Sequence, residues 1–134
     1  MPGGAGNAPA GPRCAVVKDA GPDALLAQLL AALRSGHGPG AAALWAALTP
    51  RARGPLGDVE GARRALGNEL LGPLVGHQRA DVAPWEHRGD AARTHVRVVG
   101  PAGGPGGLYL VSARRDADGA WRLTGLRRDD LPWG

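Results

Sequence analysis

The chain has 134 residues and a net charge of +4, with one cysteine and no phenylalanine or isoleucine. This length suits one domain burying about two-thirds of the surface its unfolded form exposes, with a core of Leu, Val, Ala and the four Trp residues. Several classes are disfavoured or excluded. Its fifteen arginines are dispersed instead of forming the basic block of a nucleic-acid surface, one thiol cannot build a disulfide framework or Cys-based zinc site, and no apolar run reaches the roughly 18 residues of a membrane span.

Residues 1–21 are rich in Gly, Pro and Ala and are expected to form a disordered tail. Arg13 and Lys18 precede the first acid, Asp19, so a degenerate organelle-targeting segment is the alternative. The expected compartment is the cytoplasm, or an organellar stroma or matrix under that alternative. Residues 22–134 are expected to form a single domain. Pro22 and Asp23 suit a helix start, and Leu25, Leu26, Leu29, Leu30 and Leu33 recur at helical spacing until Ser35-Gly36. A loop through His37, Gly38 and Pro39 then leads to a second helix over residues 40–48, with Ala41, Leu44, Trp45 and Leu48 on one face and Thr49-Pro50 as its stop. Arg51 to Leu56 read as a basic connection. A third helix opens at Gly57-Asp58 with Val59, Ala62, Leu66 and Leu70 along its stripe, weakened by Gly61 and Gly67 and ended by Gly72-Pro73.

From Gly76-His77 the pattern changes to extended chain. About ten residues run to His87, and Pro84 makes this an edge strand or a bulged one, because proline cannot donate to a central ladder. The turn Arg88-Gly89-Asp90 precedes a strand with Ala92, Thr94, Val96 and Val98 on one face and Arg93, His95 and Arg97 on the other. The Pro-broken loop 100–107 follows. Next comes a strand alternating Leu108, Leu110 and Ser112 against Tyr109, Val111 and Ala113, then the turn Asp116-Ala117-Asp118-Gly119, then a strand with Trp121 and Leu123 on one face. The fold class is α+β: N-terminal helices packed on a curved antiparallel sheet of about four strands.

Three helices, a Gly89-Asp90 turn before Ala92-Arg93-Thr94-His95-Val96-Arg97-Val98, and a closing Asp118-Gly119-Ala120-Trp121-Arg122-Leu123 together resemble the nuclear-transport-factor-two-like superfamily, which includes the SnoaL-like proteins. Leu44 to Arg51 and Leu74-Val75-Gly76-His77 are similar to wording in a small branch of it. The resemblance spans roughly residues 22–128. It implies a cone-like sheet around the helices, with a cavity that serves different members as an enzyme pocket, a binding site or merely a core. Enzyme members such as cyclases and isomerases place Asp, His or Tyr groups in that cone, and dimerisation through the sheet is common. These motifs are packing and turn signatures, so they imply fold more than activity.

Among the four His residues, His77 follows a glycine at a helix-to-strand junction, where it either serves as a pocket base or bonds a loop carbonyl. His95, between Arg93 and Arg97, either lines a basic pocket or faces water, and the usual one-sided antiparallel pattern favours water. His37 and His87 carry no such context. Trp45, Trp85 and Trp121 could line an apolar ligand pocket or replace the missing Phe in the core, and Arg97 or Tyr109 could orient an anionic substrate. No metal or cofactor is expected: the His-Glu-x-x-His pattern is missing, and Asp116-x-Asp118-Gly119 lacks the other ligands of a calcium loop. The reading is a noncatalytic or small-molecule-binding cone domain, whose ligand would be apolar or anionic. The alternatives are an isomerase-type enzyme using His77 or His95 and an interaction module or homodimer using the two-sided apolar strand 108–113. Trp133 is a further contact candidate.

Overall fold

The computed structural model describes residues 21–129, which leaves the tail to residue 20, with Cys14, and also Trp133 outside the described residues. Helix α1 spans Pro22–Ser35, starting on proline at the first helical position, with Asp23 in its first turn and Leu26, Leu29 and Leu33 buried. Helix α2 spans His37–Ala47, three residues earlier than the sequence pattern suggests. Pro39 is tolerated there because the first-turn N–H groups have no intrahelical acceptor, and the Gly40 N–H donates to the Gly36 carbonyl at 3.0 Å. His37 is therefore helical. Gly40 also lets the two helices approach: a Cβ there would lie 2.9 Å from Leu33 Cδ2 and 3.2 Å from Leu33 Cα.

The connection read as basic loop contains a helical turn, α3, Pro50–Arg53, nucleated by Thr49 Oγ1 accepting from the Ala52 N–H at 3.1 Å. Helix α4 spans only Val59–Leu66. Asp58 Oδ1 caps its start by accepting from the Gly61 N–H at 2.8 Å. Gly61 does more than weaken this helix, since the Leu56 carbonyl oxygen lies 1.7 Å from where a Cβ would stand. The helix stops short of Leu70 because Asn68 Oδ1 takes the Leu70 and Leu71 N–H groups at 2.9 and 2.8 Å, turning the backbone away. Of the expected stripe, Ala62 and Leu66 are fully buried, while Val59 and Leu70 are exposed.

The sheet is antiparallel in the order β1-β3-β4-β5, with β2 also paired to β3. Its strands are β1 Arg79–Val82, β2 Glu86–Arg88, β3 Ala91–Val99, β4 Gly107–Arg115 and β5 Trp121–Arg128. The expected single first strand is thus two short pieces on the same edge. Pro84 interrupts it, and the break is held to β3 by the Ala83 N–H donating to the His95 carbonyl at 2.9 Å and by Thr94 Oγ1 donating to the Ala83 carbonyl at 2.6 Å. The loop before β4 holds a short 3₁₀ turn at Pro101–Gly103, and Gly107 belongs to the strand.

One sheet face packs on the helices. Ala92, Thr94, Val96 and Val98 of β3 and Tyr109, Val111 and Ala113 of β4 are buried there, beside Leu123 of β5. A register shift between Ser112 and Ala113 puts Leu126 opposite Val111 and Arg128 opposite Tyr109. Simple alternation from Leu123 would have left both outside. The helical layer closes onto the far edge, where Leu48 bridges Leu123 and the Thr49 N–H donates to the Leu123 carbonyl at 3.0 Å.

Candidate functional site

The space where the resemblance implies a cavity lies between α1 and the inner sheet face. It is lined by Leu26, Leu29, Leu33, Val96, Tyr109 and Val111 among others, and retains a volume of about 10 Å³. That is roughly the space of one water molecule, with no polar wall to hold it. Leu26, Leu29, Leu30 and Leu33 of α1 line this void.

The polar groups beside this interior are bonded to backbone. His77 is buried, with Nδ1 2.8 Å from the Leu74 carbonyl oxygen. A carbonyl only accepts, so Nδ1 carries the proton. Arg34, in the last turn of α1, reaches the same junction: its Nε donates to the His77 carbonyl at 3.1 Å and its other arm to the Gln78 carbonyl. Tyr109 is completely buried, and its hydroxyl donates to the Leu70 carbonyl. Above the ring lies the Arg128 guanidinium, 5.5 Å from the centroid, itself donating to the Gly106 carbonyl at 2.7 Å. Tyr109 has no exposed surface and tethers the chain after α4.

No ring contact joins Trp45, Trp85 and Trp121 to one another among the described residues. Trp45 is half-buried on the α2 side, with Arg53 stacked 5.1 Å from its ring and donating from Nε to the Trp45 carbonyl at 2.9 Å. Trp85 packs from the β1–β2 break, and its indole N–H is buried without an acceptor among the described residues. Trp121, on β5, is edge-on to His87 at 5.8 Å and under Arg115 at 5.9 Å. It borders an open, polar depression beside Asp90, Asp116 and Asp118.

No family model matches the chain, and no curated protein matches it. Among solved structures, the solution structure of a SEC-C motif containing protein from Rhodopseudomonas palustris superposes with a TM-score of 0.55, at 18% identity, over 81% of this chain and 79% of that one. The likeness shows the fold. At this identity it carries no activity across.

His95 and Arg97 lie on the opposite face of the sheet, both exposed. His95 Nε2 is 2.8 Å from Asp129 Oδ2, and Arg127 approaches the same carboxylate at 4.0 Å. This cluster and the Arg93–Glu86 pair border an open depression of about 270 Å³. Asp129 has no sequence signal as a partner for His95, being 34 positions away, and only the sheet joins them. Arg34 was equally hidden, although a basic residue in a helix's last turn is a recognised carbonyl partner. No group of three His, Cys, Asp or Glu side chains that could hold a metal ion occurs among the described residues, and no helix there is long and apolar enough to cross a membrane.

Proposed function

We propose that the chain is a noncatalytic scaffold domain of the nuclear-transport-factor-two-like superfamily, working through the outer face of its sheet. The observation that supports this reading is the void between α1 and the sheet, which among the described residues holds about 10 Å³. A drug-sized ligand needs some 300 Å³ or more.

The isomerase alternative needs a base and an orienting group on one substrate. His77 Nδ1 and the Tyr109 hydroxyl are engaged with carbonyls, while His95 and Arg97 stand across the sheet from Tyr109. These four groups do not surround a common point. A thermal-shift screen of the whole chain with apolar and anionic metabolites tests the reading, because any ligand that binds only the folded state raises its melting temperature. The expected result is no shift. A metabolite that raises the melting temperature, with the rise lost in His77→Ala, would overturn it.

A further inference from the structure

The outer sheet face carries more positive charge than its own carboxylates balance. Asp81 pairs with Arg79, Glu86 with Arg93 and Asp116 with Arg122, each at 3.1 Å, and Asp129 holds His95. Arg88, Arg97 and Arg114 are exposed and have no carboxylate within 4 Å among the described residues, although Asp81 stands opposite Arg97 across the β1–β3 ladder while paired with Arg79. Two of them share a row. Arg88 lies opposite Ala91, Ala91 opposite Arg114, and Arg114 directly opposite Arg122. Like charges facing one another across strands destabilise a sheet; Asp116 offsets the charge of Arg122, which leaves Arg88 and Arg114 as the cations of the row without a carboxylate.

Small side chains make room beside that row. Ala91, Ser112 and Thr124 floor an open depression of about 520 Å³ whose outer rim includes Glu86, Arg88 and Arg93. At the other end of β3, Arg97 lies beside Leu108, and His95 beside Leu110, both leucines only partly buried. From Ala91 to Arg97 the strand extends about 20 Å. One small anion cannot reach both ends, whereas an extended chain can.

Resting on the scaffold reading above, we propose that this face docks an acidic protein segment whose carboxylates pair with Arg88, Arg97 and Arg114 while its apolar side chains rest on Leu108 and Leu110. A second copy of the chain fits less well, because a twofold contact lays the same patch on itself and opposes arginine to arginine. A polynucleotide also fits less well. The paired outer positions of β3 and β4 carry no Trp or Tyr on which bases could stack, and Asp81 and Glu86 stand among the cations.

The test uses the full chain and a fluorescein-labelled peptide of about twelve residues, long enough to span the face, with Glu at every second position and Leu between. Fluorescence anisotropy should show binding that weakens as salt rises and vanishes when Gln replaces Glu in the peptide. Arg97→Ser with Arg114→Ser should weaken it roughly tenfold, as expected for two exposed charge pairs. The same double variant should keep the melting temperature, since both side chains are exposed and neither forms an ion pair among the described residues, so weaker binding would not reflect unfolding. Equal binding by the double variant, no peptide binding, or tighter binding of an equally charged single-stranded oligonucleotide would overturn the proposal. So would a dimer in light scattering that the double variant abolishes. If no metabolite raises the melting temperature and no acidic peptide binds, the docking site fails while the scaffold reading stands.

Discussion

The two faces of one sheet put the same strands to opposite uses. Along β3, Thr94, Val96 and Val98 point into a filled interior, while Arg93, His95 and Arg97 point to water. On the inner side Thr94 is bonded to the Ala83 carbonyl, Tyr109 to that of Leu70 and His77 to that of Leu74, the buried Trp85 N–H being the exception among the described residues. On the outer side the polar groups pair with one another or stay unpaired. Buried donors without partners carry a free-energy penalty that exposed ones escape, so the interior is committed to holding the fold and the exterior is left available for contact.

The comparison can be broken most severely from within. Leu33→Ala empties a site with no exposed surface between α1, α2 and the chain at Gly76, and should lower stability by about 2–5 kcal/mol in chemical denaturation. An effect below about 1 kcal/mol would mean the interior is looser than its packing implies. Tyr109→Phe keeps the ring but strands the Leu70 carbonyl, with an expected loss of about 1 kcal/mol and faster amide exchange in the segment after α4. His95→Gln, on the outer face, should change stability by no more than about 0.5 kcal/mol, because its partner Asp129 stays solvated. A loss as large as that of Tyr109→Phe would show that the outer cluster also holds the fold.

How far the sequence could be read follows from how local each signal is. The leucines of α1 and the strict alternation of β3 made both elements and their buried faces legible, because helix and strand periods are carried by neighbouring residues. Pro84 announced an edge position in the same way, by its missing N–H. The start of α2 was misread because Gly38 and Pro39 are loop residues by propensity yet harmless in a first helical turn. The end of α4 was misread because Leu70 continues the apolar spacing while Asn68 bends the chain out of it. Of the candidate site residues, the outward placement of His95 and Arg97 follows the alternation; the fate of Tyr109 does not, since its partner Leu70 lies 39 positions away.

By itself the sequence determined the α+β order and the inner stripes of α1 and β3, which depend on short-range periodicity and backbone chemistry. Tertiary structure alone decided the rest. The register shift at Ser112/Ala113 turns Leu126 and Arg128 inward, with Gly125 as its one local trace. The leucines of α1 leave a void of about 10 Å³ against the inner sheet face, and the sheet aligns Arg88, Arg114 and Arg122 from three separate segments into one row. Cavity volume and charge alignment are sums over residues distant in the chain, so no window of sequence contains them.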